Sequence, residues 1–273
     1  IIYEIRNQIP NPVKLIFQPG EEKNPGGATL MIEDGVLENP KVSKMYALHV
    51  FPELEVGTLG FKEGLYMASC DEIYMTIKGK GGHGAMPHKC IDPILIGANI
   101  LTSLQGIVSR KCDPKIPCVL SFGHFEALGA TNVIPSNAYL KGTFRTMDEE
   151  WREEALKLIN STAEGIAKSM GAGIDIEINR GYPFLKNDPE TTSQLTNRAE
   201  RYFGSKQVHE LPIRLTAEDF SFYSQKVPVC FFRLGVGNEA MGIVNGVHHP
   251  EFDIDPESLK IGMQAMVLAI FED

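Results

Sequence analysis

The sequence has no C-x-x-C pair, a single Trp, no initiator Met and no apolar run of membrane-spanning length. Its five cysteines, Cys70, Cys90, Cys112, Cys118 and Cys230, are odd in number and lack metal-ribbon spacing, so neither a disulfide framework nor a zinc ribbon is indicated. Scattered thiols of this kind fit a reducing cytoplasm. The missing apolar run argues against a membrane span, and nothing near the start has the parts of a signal peptide. Positive charge is also short. Lys and Arg number 26 against 35 Asp and Glu, a formal net charge of −9. That balance argues against a nucleic-acid-binding face, which needs clustered cations. Internal repeats and low-complexity segments are absent. The opening "IIYEIRNQIP" reads as the end of a helix entered midway, and the expectation is that an N-terminal portion lies upstream.

What remains is a globular composition. The chain has 273 residues, 43% hydrophobic and 22% charged, enough for one large domain or two ordinary ones. Within it, "EIYMTIKG" alternates Ile73, Met75 and Ile77 against Tyr74, Thr76 and Lys78, the period of a half-buried strand. "DPILIGANILTSLQGIVSR" begins with Asp92 as N-cap and Pro93 at the first helical position. "CVLSFGHF" and "NAYLKGTF" read as strands. "DEEWREEALKLINSTAEGIAKSMG" reads as an amphipathic helix, acidic in its first turn and stopped by Gly171. "GIDIEIN" alternates again. The order strand, helix, strand, strand, helix, strand is that of a ferredoxin-like βαββαβ unit, expected over residues 67–179.

The flanks alternate strand and helix. Ahead of the unit come a buried strand over residues 13–17, a helix from about Gly27 to Val36, and the strand "MYALHV". Behind it come a helix ending near Gly204, the apolar strand "VCFFRLG" and a C-terminal helix, "ESLKIGMQAMVLAIF". This pattern predicts an α/β domain with a mostly parallel sheet, built from residues 1–66 and 180–273, into which the other unit is inserted.

Polar residues gather where those strands end, the place where open α/β sheets bind ligands. Glu21 and Glu22 follow the first strand in "VKLIFQPGEEKNPGG". His49 closes "MYALHV". His248 and His249 sit in "GVHHPEFD". A Glu pair in a loop is ordinarily solvated, and a lone His on an apolar strand is ordinarily a hydrogen-bonded core residue. Their joint placement favours a divalent cation, for which carboxylate and imidazole are suitable ligands. One of the adjacent carboxylates would ligate while its neighbour served as a base. "IKGKGGHGAMPHK" lacks the ending of a phosphate-binding loop, and its glycines read instead as a turn exposing His83. His88 and His124 read as structural, and His209 as a surface residue.

With these residues assembled, the chain resembles the metal-dependent amidohydrolases that include aminoacylases, hippurate hydrolases and plant auxin-conjugate hydrolases, within the zinc-peptidase superfamily. The matching stretches are "KLIFQPGEE", "ALHVFPELEVG", "KGKGGHGAMPH", "DPI", "TNVIP", "GTFRT", "TAEDFSFY" and "HHPEFDID", which span nearly the whole chain. The resemblance implies hydrolysis of N-acyl amino acids or related small amides, and a zinc-peptidase-like α/β domain with an inserted lid that also mediates homodimerisation. It implies Glu21 as general base and Glu22, His49 and His248 as metal ligands. In the lid it implies His83 as oxyanion stabiliser, with Asn132 and Arg145 as substrate contacts, Arg suiting a carboxylate. Glu218, beside Asp219 in "TAEDFSFY", joins the substrate-binding set. Two divalent ions are implied, zinc or manganese first, with cobalt or nickel also accepting such ligands. The family supplies its remaining ligands, a Cys-x-His segment, from upstream of "KLIFQPGEE", so the site within this sequence is expected to be incomplete. A dipeptidase or exopeptidase of the same superfamily, and a catalytically incomplete dimerising fragment, are the rival readings.

Overall fold

The alternation in residues 72–78 produces a strand with Ile73, Met75 and Ile77 buried and Glu72 and Lys78 exposed. The computed structural model of the chain describes residues 1–271. Its strands are β1 (Met45–Glu55), β2 (Leu59–Phe61), β3 (Gly64–Met67), β4 (Asp71–Lys78), β5 (Gly82–His83), β6 (Cys118–Glu126), β7 (Val133–Ile134), β8 (Asn137–Thr146), β9 (Gly173–Arg180), β10 (Leu185–Asn187), β11 (Val208–Glu210) and β12 (Val229–Gly237). The α-helices are α1 (Gly27–Glu33), α2 (Pro93–Arg110), α3 (Glu149–Ser169), α4 (Pro189–Phe203), α5 (Ser221–Ser224) and α6 (Glu257–Leu268). The chain forms two compact units. Ile1–Met67, Leu185–Arg214 and the described residues from Glu218 onward make the first, and Ala68–Phe184 with Leu215–Ala217 make the second.

In the second unit the sheet order is β6-β8-β4-β9, with antiparallel neighbours throughout. Ile96, Ile100 and Leu104 of α2 and Trp151, Ala155 and Ile159 of α3 join the buried side chains of β4 and β8 in one apolar cluster. Both helices begin on a capping aspartate. Asp92 accepts from the N–H groups of Ile94 and Leu95, and Asp148 accepts from that of Trp151 at 2.7 Å. Beneath α3, Arg152 grips the fully buried Asp71 through two bonds, Nε to Oδ2 at 2.8 Å and Nη2 to Oδ1 at 2.7 Å. A buried guanidinium tolerates this position because the planar fork matches a carboxylate.

The first unit carries a sheet of order β1-β12-β2-β11. It is mixed, with β1 parallel to β12, β2 parallel to β11, and β12 antiparallel to β2. Every residue of β12 is buried, which is why "VCFFRLG" reads as a continuous apolar run. One set of its side chains, including Phe232 and Leu234, packs with Leu195 of α4 and Ala265 of α6. The other set, including Val229 and Phe231, packs with Ala28 of α1, Phe220 and Tyr223.

The expected buried strand at residues 13–17 does not form. The segment belongs to no strand ladder, and Leu15 and Phe17 are 63% and 86% exposed. The inward side is the other one. Lys14, Ile16 and Gln18 are the half-buried residues, with Lys14 Nζ donating to the carbonyls of Val36 and Glu38. An apolar run fixes neither pairing nor the side that turns inward.

Candidate metal centre

The loop that carries the doubled carboxylate is held at both ends by Asp219. Gln18 Nε2 donates to both of its carboxylate oxygens, at 2.7 and 2.8 Å, and the Ala28 N–H donates to Oδ2 at 3.0 Å. The second bond substitutes for a cap, since the N-cap of α1 is Gly26 and offers no side chain. Asp219 therefore places its negative charge at the start of α1, where the free N–H groups welcome it. Gly27 fits only because it lacks a Cβ, which would lie 1.7 Å from the Pro19 carbonyl oxygen. Gln18, Asp219 and Gly27 together bend the chain so that Glu21 returns towards Asp219.

Among the described residues, three ligating side chains meet within 4.8 Å of one another at Glu21, Glu218 and Asp219. Glu218 and Asp219 are buried. Burial pushes the Glu218 carboxyl up to about 8, reinforced by the charge of Glu21 and partly offset by the Phe220 N–H, which donates to it at 3.3 Å. Glu21 is also held above the usual carboxylate range, by burial first and then by the charges of Glu22 and Asp219. Nearby like charges and desolvation act in the same direction here.

His49 lies on β1 opposite Arg233 of β12. Its Nδ1 stands 2.7 Å from the Val50 carbonyl, so that nitrogen carries the proton and donates, and the lone pair is on Nε2. Burial lowers its pKa, which keeps the ring neutral near pH 7, while Glu22's charge pulls the other way. Arg233 is itself buried. Its Nε donates to Tyr66 Oη at 3.0 Å and its guanidinium lies 5.0 Å from the Phe231 ring centroid. His248 adopts a left-handed backbone, φ 69°, uncommon outside glycine. Its Nε2 sits 3.9 Å from Glu22 Oε1, and both side chains are exposed. Two ligand atoms on one tetrahedral ion stand about 3.4 Å apart, so this spacing is close to a shared-ion geometry. His249 is engaged elsewhere, its Nδ1 accepting from the Glu251 N–H.

The first unit thus contains Glu21, Glu22, His49, His248 and Glu218. The expected ligands Glu22, His49 and His248 are not drawn within 4.8 Å as a trio, because Glu22 and His248 project into solvent. The other three predicted residues belong to the second unit. His83 lies on β5 opposite Val133, and the Gly84 N–H donates to the Asn132 carbonyl at 2.8 Å, so His83 and Asn132 share one two-stranded ribbon. Arg145 lies on β8, with Nη1 donating to the Leu215 carbonyl at 2.9 Å.

The donor set suits divalent cations. It offers carboxylate oxygens and a neutral imidazole whose other nitrogen is oriented by a carbonyl, the usual outer support of a metal-ligating His. It also buries negative charge that raises Glu21 and Glu218, a cost a cation would remove. Sequence reading singled out neither Gln18 nor Arg233. Arg233 had a signal, a lone cation within an apolar strand; Gln18 had none.

A mixed α/β scaffold with a carboxylate cluster at Glu21, Glu218 and Asp219, and with His49 and the Glu22–His248 pair in the same unit, defines the class. Residues 2–272 match peptidase family M20/M25/M40, and the chain belongs to that family. It is 38% identical over 259 residues to the protein YhaA of Bacillus subtilis, covering 95% of this chain and 65% of YhaA. It is 35% identical over 268 residues to an N-acetyldiaminopimelate deacetylase of Enterococcus faecalis, covering 97% of this chain and 69% of that protein. Among solved structures it is similar to the Bacillus subtilis YXEP protein, described as a dinuclear metal binding peptidase, at 31% identity and a TM-score of 0.76. That match covers 98% of this chain and 67% of the YXEP chain.

Proposed function

We propose that the whole protein hydrolyses the amide bond of N-acyl amino acids or related small amide conjugates. The observation that carries this reading is the cluster of Glu21, Glu218 and Asp219, whose ligand atoms lie within 4.8 Å of one another, in the same unit as the Glu22–His248 pair at 3.9 Å. Glu22, His49 and His248 would hold divalent cations. Two such ions, zinc or manganese, supply positive charge that polarises the scissile carbonyl and lowers the pKa of water.

Glu21 accepts the proton of the attacking water and passes it to the departing amine. Asp219 keeps Glu21 in position through Gln18 and the start of α1. In the second unit, proposed as lid and dimerisation domain, His83 stabilises the developing oxyanion. Arg145 grips the carboxylate of the amino acid, and Asn132 and Glu218 are further substrate contacts. The name of the Enterococcus faecalis relative, a deacetylase of an N-acetyl amino acid, supports this substrate class. The description of the YXEP protein as a peptidase supports exopeptidase action as the second reading.

The test is turnover of a panel of N-acetyl amino acids and dipeptides with manganese present. N-acetyl amino acids should be cleaved in preference to dipeptides. Glu21→Gln should lower kcat by roughly two to four orders of magnitude while cation binding persists. Wild-type turnover in that variant overturns the base assignment, and preference for dipeptides selects the exopeptidase reading.

A further inference from the structure

Away from this centre, the second unit brings two cysteines together that sequence spacing had left unpaired. Cys112 follows the C-terminal end of α2 and Cys118 opens β6, and their sulfurs lie 3.3 Å apart. No other pair of cysteine sulfurs is in such contact among the described residues. The linking segment "DPKIP" holds both ends. The Ile116 N–H closes a turn onto the Asp113 carbonyl at 2.9 Å, and the Pro117 carbonyl accepts from the Met147 N–H and from Thr146 Oγ1, each at 3.3 Å. The Cys112 N–H is anchored on the Ile107 carbonyl at 3.1 Å. Pro114 and Pro117 fix two backbone dihedrals of the segment, so the thiols are held as neighbours. Both are half-buried, while residues 113–115 between them are exposed. A sulfur–sulfur bond is about 2.05 Å, so an approach of about 1.3 Å closes the pair.

We infer that Cys112 and Cys118 are a modification site, forming a reversible intramolecular disulfide by exchange with a low-molecular-weight disulfide such as oxidised glutathione. The Cys118 thiolate attacks one sulfur of the oxidant. The oxidant's S–S bond breaks, a mixed disulfide forms on Cys118, and one glutathione thiolate leaves and takes a proton from solvent. The Cys112 thiolate, its proton released to solvent, then attacks the Cys118 sulfur and expels the second glutathione. Two protein thiols have lost two electrons, and one oxidant has become two thiols. The order follows from the contacts of the two thiols. Cys112 Sγ donates to the carbonyls of Asp113 and Ile116, at 3.4 and 3.6 Å, and burial raises its pKa, so its proton is held and Cys118 is the first attacker.

The test is incubation of the reduced protein with oxidised glutathione, followed by intact mass and a non-reducing peptide map. The expected product has lost two hydrogens, carries no glutathione, links Cys112 to Cys118, and reverts with dithiothreitol. Titratable thiols fall by two. In Cys112→Ser, Cys118 should retain glutathione as a stable adduct. A wild-type protein that accumulates a persistent adduct on either residue, or that links or modifies other cysteines first, overturns the inference. The wild-type map decides the matter even if the variant fails to fold.

Discussion

Replacing Asp219 with Asn keeps the shape of the strut and removes its charge. One carbonyl oxygen must then serve donors that two carboxylate oxygens now share, Gln18 Nε2 at 2.7 and 2.8 Å and the Ala28 N–H at 3.0 Å. Gln18 is half-buried and can turn to water, whereas the Ala28 amide is buried and has no side-chain cap to replace the loss. A hydrogen bond to a charged group contributes about 1.5–3 kcal/mol, so the start of α1 should open more easily by about 2 kcal/mol. That corresponds to exchange of the Ala28 amide roughly 30-fold faster than in the wild type, under conditions where exchange reports local opening. A second effect runs the other way. Asp219's charge raises Glu21 and Glu218, so its removal lowers both towards the ordinary carboxylate range. The assay is amide hydrogen exchange on chelator-treated protein, with activity measured in parallel. Exchange within about threefold of wild type would refute the role of Asp219 as the distant cap of α1.

Glu218 gives the chelator-treated protein a pH dependence of known sign. Its folded pKa of about 8 lies above the ordinary 4.5, so the folded state binds the proton more tightly and stability falls as pH rises through that window. The full effect is on the order of 5 kcal/mol, and Glu218→Gln should flatten the wild-type decline in urea stability between pH 5 and 8; parallel profiles for the two proteins would contradict it. In the second unit, Asp71→Asn leaves buried Arg152 with Glu149 as its remaining charged partner and should cost about 3 kcal/mol. Trp151, the single Trp, lies in that unit's core and reports the loss by fluorescence; an unchanged urea midpoint would mean the pair contributes nothing.

The second unit was legible because its signals are local. Asp92-Pro93 and Asp148 mark helix starts, and Ile73, Met75 and Ile77 share one strand face whatever lies far away. The segment 13–17 was not legible, since its apolar composition hides that Lys14, Ile16 and Gln18 are the residues turned inward. At the centre, residue types pointed to Glu21, Glu22, His49 and His248, but not their setting: among the described residues no strand precedes Glu21, and His49 lies inside β1, which continues to Glu55. The strut did not show, because Asp219 and Ala28 are 191 residues apart and nothing in either neighbourhood encodes their meeting. The same holds on a smaller scale for Cys112 and Cys118. Their spacing matches no motif, and the turn between them, with its bonds to Ile107, Thr146 and Met147, sets the sulfurs 3.3 Å apart.

The central claim is that Glu22 and His248, with His49, bind a divalent cation. Equilibrium dialysis of chelator-stripped protein against manganese tests it most directly, comparing wild type with His248→Ala and Glu22→Gln. Saturable binding weakened at least roughly tenfold in both variants, with Glu21→Gln close to wild type, is the expected result. Equal affinity in all four proteins would place the cation elsewhere and contradict the account.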